Sequence, residues 1–178
     1  MSFPDFQQFP PFEGFPKEGT RFLARLKKNN NRDWFAKHKE EYEEFVKFPM
    51  QSLISSLREP LAKLAPELEV DPKRSMFRIY RDTRFSSDKR PYKTHAAAIF
   101  HERTRKNAGL YLHIEPGEVY LGGGIYGPDS AQQKSIRQQI SEHPEEFRAI
   151  VGSKRFVKLF GMLEGSTLKR PPRGFSAD

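Results

Sequence analysis

The residues between Arg78 and Lys93 have the types and spacing of an anion-binding site. The segment reads Arg-Ile-Tyr-Arg-Asp-Thr-Arg-Phe-Ser-Ser-Asp-Lys-Arg-Pro-Tyr-Lys. Guanidinium groups bind phosphate or carboxylate through two parallel hydrogen bonds, and neighbouring aspartates hold such forks in position. We predict that the anion is bound by Arg78, Arg81 and Arg84. Asp82 and Asp88 are predicted to orient these arginines, and Lys89 and Tyr92 to complete the pocket.

The charge distribution points to the same segment. The formal net charge is +8, and the 34 residues from Lys73 to Lys106 alone contain eleven basic and three acidic residues. A basic surface attracts phosphates, nucleic acid or acidic proteins. We expect the partner to be an anionic small molecule, or nucleic acid bound weakly and without sequence preference, because few aromatic residues are interleaved for base stacking. The basic residues do not form an amphipathic helix, so we expect no membrane partner.

Two other interpretations of these residues stay open. In the first, Asp82 and Asp88 only neutralise basic side chains, and the segment is a structural ion-pair lattice in a non-catalytic interaction protein. In the second, both aspartates bind Mg²⁺ and Lys89 lies near an attacking water, as in a metal-dependent nuclease-like hydrolase. No third acidic residue lies close in sequence, and the crowded arginines disfavour a cation.

Histidines are the other candidates for chemistry. His95 and His101 have the same parity in one predicted strand, and His113 lies beside Tyr111 in another. Each is a candidate general acid–base, although a hydrogen-bonded sheet histidine is the simpler interpretation. The three lack compact zinc-ligand spacing, so we predict no metal site, although separate strands can bring such residues together.

No cofactor is predicted either. Gly122–Gly127 fits the dinucleotide pattern G-x-G-x-x-G, but the strands before it are joined by a hairpin rather than by a helix. The absence of cysteine excludes disulfides and thiolate chemistry and is consistent with a reducing compartment. No apolar run reaches the roughly 18 residues of a membrane span, and no signal-peptide pattern is present, so we expect a cytoplasmic protein.

Helical patterns flank a region of strand patterns. Capping residues and apolar spacing predict helices from Thr20 to Leu26, from Asn30 or Asn31 onward, from Pro49 with a kink or split at Pro60, from Ser130 to about Ser141 behind an Asp129 cap, and near Pro144 and Ser153. Alternation predicts strands over Met76–Asp82, Thr94–His101, Ala108–Glu115 and Glu118–Gly122. We predict an α+β fold, with N-terminal helices packed on one face of an antiparallel sheet of about four strands and followed by C-terminal helices.

The first sixteen residues differ from the rest of the chain. Phenylalanine recurs every third residue from Phe3 to Phe15 and is interleaved with proline. Polyproline II has three residues per turn, so these rings would line one face. We predict that residues 1–16 form an arm that packs on its own domain or on a second subunit in a homo-oligomer. Residues 17–178 are predicted to form a single α+β domain.

The same motif resembles a family of uncharacterised, mostly bacterial proteins, domain of unknown function 2461. Its R-x-x-R-D-x-R-F element corresponds to Arg78–Phe85, and its D/N-K-x-x-Y element corresponds to Asp88–Tyr92. Further matches lie at Phe12–Phe15, Phe22-Leu23, Asn29–Phe35 and Tyr111–Gly117, so the resemblance covers the chain from about Phe12 onward.

The resemblance implies no established activity. Because the Tyr111-Leu-His113 segment is among its matches, His113 is the best catalytic candidate of the three histidines. Asp82 and Lys89 are the other candidates, and no catalytic residue is assigned. Members of the family usually continue for some tens of residues beyond the point that corresponds to Asp178. We therefore expect that a C-terminal segment is absent from this sequence.

Overall fold

The N-terminal half of the chain is mainly helical. The computed structural model describes residues 9–166, 168–172 and 174–175. Helix α1 spans Lys17–Lys28, α2 spans Arg32–Lys37 and α3 spans Lys39–Tyr42. A π-helical turn at Glu43–Lys47 then leads into α4, which spans Phe48–Leu64.

A local sequence signal sets the start of α2. The Asn31 side-chain oxygen accepts a hydrogen bond from the Trp34 backbone N–H at 2.9 Å, which confirms the predicted cap of α2. Thr20 was predicted to cap α1, but it lies inside the helix, where its hydroxyl donates to the Lys17 carbonyl. α4 also includes Pro60 and continues to Leu64 instead of splitting, although the proline cannot donate a backbone hydrogen bond.

The sheet has three antiparallel strands in the order β1-β2-β3. Strand β1 spans Ala96–His101, β2 spans Ala108–Glu115 and β3 spans Glu118–Ile125. The prediction of about four strands was wrong, because residues 76–82 do not follow β1 along its length. Met76 pairs with Ala98 at the free edge of β1, and the chain then leaves that edge.

One hydrophobic core contains residues of both the helices and the sheet. The helices contribute the fully buried side chains of Phe22, Leu23, Leu26, Val46, Met50 and Ile54. The even-numbered residues of β1 share a face and belong to the same core, which includes Ala96, Ala98 and Phe100. The odd-numbered residues of β2 therefore lie on the other face, where the polar residues Tyr111, His113 and Glu115 are found.

The described part of the predicted arm lies along its own chain. The Phe9 ring is 5.9 Å from the Phe48 ring, and the Phe12 backbone N–H donates to the Ser56 hydroxyl at 3.1 Å. Phe15 packs against the core. Residues 1–8 of the arm lie outside the described residues, and the homo-oligomer stays a prediction.

The chain divides into two compact units, residues 1–126 and 127–178. The second unit contains α5 (Ser130–Glu142), α6 (Pro144–Val151) and α7 (Lys154–Phe160). Asp129 and Gln132 form the predicted cap of α5 as a reciprocal capping box. None of the described residues of this unit is buried. The single domain predicted over residues 17–178 stays a prediction.

The length and hydropathy of the helices can be compared with those of a membrane span. Among the residues that the structure describes, no helix combines the length and the apolar character that crossing a bilayer requires.

Candidate functional site

The two halves of the basic segment lie side by side. Tyr80 and Tyr92 pair as an isolated antiparallel bridge, and the Arg81 backbone N–H donates to the Pro91 carbonyl at 2.9 Å. The intervening residues 82–90 form a loop without regular secondary structure. The dense part of the motif is thus presented on a loop whose two ends are fixed to each other.

The paired backbone segments around Tyr80 and Tyr92 form a short ladder. Asn30 and Phe35 fix this ladder to the helices. The Asn30 side chain accepts a hydrogen bond from the Tyr92 backbone N–H at 3.0 Å and donates to the Tyr92 carbonyl at 2.9 Å. The Phe35 and Tyr92 rings stack with centroids 4.1 Å apart. Both side chains come from the Asn29–Phe35 segment, so this segment and the basic motif form one structure.

Asp88 joins two arginines within the loop. Its carboxylate accepts a hydrogen bond from Arg81 Nη1 at 2.5 Å and from Arg90 Nη2 at 2.7 Å. The hydrogen bonds from Arg90 and then from Arg81 hold the pKa of the Asp88 carboxyl far below its usual range. Asp88 therefore pairs with Arg81, and its orienting role for an anion stays a prediction. Arg90 is a partner that the sequence analysis did not select.

The substitution Asp88→Asn tests this ion-pair group through its pH dependence. A depressed folded-state pKa gives a stabilisation that is present above the unfolded value of about 3.9 and is lost as the pH falls from there through the lower folded-state pKa. The asparagine variant lacks that stabilisation at every pH. We therefore expect urea unfolding to show the largest difference in stability between wild type and variant near neutral pH, and a smaller difference in acid. A difference that does not change with pH would contradict the role given to Asp88.

Asp82 and Lys89 also have internal partners. The Asp82 carboxylate accepts hydrogen bonds from Arg84 Nε at 3.0 Å and Nη2 at 2.7 Å. These bonds are the main reason why the pKa of the Asp82 carboxyl lies below its usual range. Lys89 Nζ donates to the Thr83 carbonyl at 3.0 Å. Because guanidinium groups occupy both motif carboxylates, the arrangement disfavours the Mg²⁺ interpretation of Asp82 and Asp88.

Arg78 and Lys93 form no ion pair with a carboxylate of the described residues, although the charge of Arg78 also acts on Asp82. The Arg78 side chain is exposed and forms no hydrogen bond or ion pair with another described residue. Lys93 Nζ donates to the carbonyls of Arg78 and Tyr80 at 2.6 and 3.1 Å. Burial, and then repulsion from Arg78 and Arg81, lowers the pKa of the Lys93 ammonium. The lattice interpretation therefore accounts for Arg81, Arg84 and Arg90 but leaves these two cations unneutralised.

A cleft opens between α2 and the ladder, and we call it the basic cleft. Its volume is about 430 Å³. The charged residues that line it are all cations, and aromatic rings form much of the remaining wall. The lining residues are Arg32, Phe35, Ala36, Lys39, Tyr80, Arg81, Thr83, Pro91 and Tyr92.

The basic cleft contains two cations that the sequence analysis missed. Arg32 and Lys39 have no ion-pair partner in the part of the chain that the structure describes. Burial, followed by repulsion from Tyr80, raises the pKa of the Tyr92 hydroxyl, and the nearby charge of Arg32 partly offsets this increase. Of the predicted ligand-binding residues, Arg81 and Tyr92 line the cleft. The family match at Asn29–Phe35 was the signal that included Arg32.

A second polar cluster lies on the sheet face opposite the core. His113 is only 8% exposed, and its ring stacks on Tyr120 with centroids 4.8 Å apart. His113 Nδ1 lies 3.0 Å from the Tyr111 hydroxyl. The His95 ring lies 4.3 Å from the His113 ring. Burial, followed by repulsion from His113 and Lys93, lowers the pKa of His95.

Glu115 completes this cluster, which we call the histidine cluster. One ligand atom each from His95, His113 and Glu115 lies within 4.8 Å of the others. His113 Nε2 and Glu115 Oε2 are 3.9 Å apart. His101 does not belong to this ligand set. The spacing in sequence pointed away from a compact set, but the β1–β2 pairing brings two of the three histidines together.

The histidine cluster and the basic motif are neighbours. Lys93 Nζ lies over the Phe77 ring, 5.5 Å from its centroid, and the Phe77 and Tyr111 rings are 6.1 Å apart. Phe77 is 38% exposed and lies between the motif and this polar face. Its ring therefore connects the two clusters.

Residues 18–178 match a protein family that is described as "Conserved hypothetical protein (DUF2461)". The chain belongs to this family. The match confirms the resemblance found in the sequence, and it includes both the basic cleft and the histidine cluster. A search of curated proteins and a search of solved structures gave no match.

The residues of the DUF2461 family motif differ widely in how exposed their side chains are. Phe85 is 95% exposed, and its ring centroid lies 5.6 Å from the guanidinium carbon of Arg84. Tyr92, at the other end, is only 5% exposed. The motif therefore combines a buried anchor with an exposed loop tip, and only part of it lines the cleft.

Proposed function

We propose that this DUF2461 protein binds a small phosphorylated molecule in the basic cleft. The observation that carries the proposal is a cleft lined by three cations, Arg32, Lys39 and Arg81, and by no carboxylate. Two of these cations have no ion-pair partner among the described residues, so an anion would neutralise charge that the protein leaves unpaired. A phosphate has the geometry that guanidinium forks recognise.

The size and walls of the cleft favour a small ligand over a polymer. A volume of about 430 Å³ lies within the range of about 300–1,000 Å³ that is typical of small-molecule sites. Tyr80 is 51% exposed and offers a ring face to a planar or sugar group of the ligand. Nucleic acid would need a longer basic track with several stacking residues.

The predicted residues take distinct roles in this proposal. Arg81 binds the anion while Asp88 orients it, and Tyr92 forms the floor of the pocket. Arg78 and Lys93 raise the local positive potential. Arg84 paired with Asp82, and Lys89 bound to a backbone carbonyl, hold the loop in shape. Catalysis by His113, Asp82 or Lys89 is not required for binding, and the enzymatic question stays open.

Calorimetric titration with inorganic phosphate and pyrophosphate tests the cleft. We expect the double substitution Arg32→Gln with Lys39→Gln to weaken pyrophosphate binding by about 10-fold or more, since a hydrogen bond to a charged group contributes about 1.5–3 kcal/mol. Arg81→Gln should also weaken binding. Lys37→Gln is the control for the loss of a nearby charge, because Lys37 lies on α2 with Arg32 but does not line the cleft.

Three results would contradict the proposal. One is equal affinity of the double variant and the Lys37→Gln control. Another is tight binding to a defined nucleic-acid sequence that persists at physiological salt, since binding through many phosphates weakens steeply as salt rises. The third is a loss of binding in Arg84→Gln alone, because the anion would then lie at the loop tip and not in the cleft.

The ion-pair lattice remains the second candidate, favoured by the Asp88 and Asp82 pairs. In that case Arg81 serves only the loop, and phosphate should bind no more tightly than chloride. The same titrations distinguish the two candidates, because the lattice predicts no difference between cleft and control variants.

A further inference from the structure

The histidine cluster has the composition of a metal site. It combines two imidazoles and one carboxylate on the sheet face opposite the core. Two histidines and a glutamate are a common protein ligand set for zinc in sites that keep a further position open. Imidazole nitrogen favours zinc and similar transition metals over Mg²⁺ or Ca²⁺, which prefer oxygen ligands.

The separations between ligand atoms suit a site that closes by side-chain rotation. Tetrahedral ligands about 2.1 Å from an ion lie roughly 3.4 Å from each other. His113 Nε2 and Glu115 Oε2 are already 3.9 Å apart, and the whole set lies within 4.8 Å. The separations therefore need to shorten by at most about 1.4 Å, which is within the reach of side-chain rotation.

The hydrogen bonding of His113 leaves the nitrogen nearest to Glu115 available. Tyr111 occupies Nδ1 at 3.0 Å, whereas Nε2 has no hydrogen bond to a described residue. Metal-binding histidines commonly use one nitrogen for the ion and the other for a group that fixes the orientation of the ring. The stacked Tyr120 ring restricts the imidazole further.

We propose that His95, His113 and Glu115 bind one zinc ion, with a fourth position open to water or to an anion. The Tyr111 hydroxyl orients His113 as a positioning residue. Lys93 and Arg81 lie near His95. Glu115 is the single carboxylate of the ligand set, so its charge cannot neutralise both the ion and these two cations. This charge balance favours an anionic fourth ligand. The proposal does not depend on anion binding in the basic cleft.

Titration of the full chain with ZnCl₂ in a non-chelating buffer tests the site. We expect one ion per chain for wild type. His95→Gln and Glu115→Gln should each weaken zinc binding by more than about 100-fold, whereas Tyr111→Phe should weaken it by about 10- to 100-fold, the range typical of a group that only orients a ligand. Substitution with Co²⁺ should give the intense visible absorption of a four-coordinate ion in wild type and not in the two ligand variants.

His101→Gln is the matched control. It lies on β1 about 20 Å along the strand from His95, and its Nδ1 has no hydrogen-bond partner to lose. This variant should bind zinc as wild type does, and circular dichroism should show that every variant is folded. Three results would overturn the proposal: no zinc binding by the folded wild type, the same affinity in the ligand variants, or an equal loss in His101→Gln. Phosphate titration without metal is a separate measurement. A negative result for zinc binding would therefore not decide whether the basic cleft binds an anion.

Discussion

Replacing Phe35 with alanine is expected to cause the largest loss of stability among the residues that line the basic cleft. Phe35 is 3% exposed and contacts the rings of Phe22, Tyr42, Tyr80 and Tyr92. Truncating a buried phenylalanine removes its contacts and leaves a cavity, at a cost of about 3–5 kcal/mol. Urea unfolding at neutral pH measures this change directly.

The same substitution should also damage anion binding. The Phe35 ring stacks directly on Tyr92, so its removal frees the ladder that presents Arg81 to the cleft. We expect weaker pyrophosphate binding even under conditions in which the variant is fully folded. Titration in the presence of a stabilising osmolyte separates this effect from unfolding.

Phe85→Ala is the matched control for this prediction. It makes the same chemical change within the family motif, but Phe85 is 95% exposed. We expect its stability to lie within about 0.5 kcal/mol of wild type, as for most surface substitutions. A large loss at Phe85 with little loss at Phe35 would contradict the packing described here.

Asn30→Ala is expected to have the second large effect. The Asn30 amide satisfies both backbone groups of Tyr92, and the alanine variant leaves that part-buried N–H and carbonyl without their partner. Each unsatisfied group costs about 1–3 kcal/mol. The ladder should also separate from α2, so we expect lower stability together with weaker pyrophosphate binding.

Two substitutions sharpen the Asn30 test. Asn29→Ala is the neighbouring control, because the exposed Asn29 side chain donates only to the Arg25 carbonyl in its own helical turn. Asn30→Asp keeps an oxygen that accepts from the Tyr92 N–H but loses the donor to the Tyr92 carbonyl. We expect Asn29→Ala to resemble wild type and Asn30→Asp to fall between wild type and Asn30→Ala. Equal effects at positions 29 and 30 would show that the hydrogen bonds between Asn30 and Tyr92 do not couple the helices to the motif.

The charged residues in and around the basic segment fall into two groups, those paired with carboxylates in the loop and those without such partners. Asp82 and Asp88 are used within the loop, where they pair with Arg84, Arg81 and Arg90. Arg32 and Lys39, which have no ion-pair partner among the described residues, line the basic cleft, and Lys93 lies beside the histidine cluster. A purely structural lattice gives no reason for this separation, whereas anion binding in the proposed cleft does.

Features with a local physical cause could be predicted from the sequence alone. Asn31 and Asp129 cap their helices because a side-chain oxygen reaches a backbone N–H three residues away. Strand β2 was predicted at its observed bounds because alternation and flanking turns are local signals. The excess of positive charge in one segment and the family motif also required nothing beyond the order of the residues.

Features that depend on distant pairing were decided only by the tertiary structure. Residues 76–82 have the alternation of a strand, but whether they extend the sheet depends on which edge they meet. Arg32 and Lys39 join Arg81 because Asn30 binds a backbone 62 residues away. His95 and His113 meet through the β1–β2 register, and Glu115 follows on the same face. Composition and periodicity describe neighbours along the chain, whereas a cleft or a ligand set is made by neighbours in space.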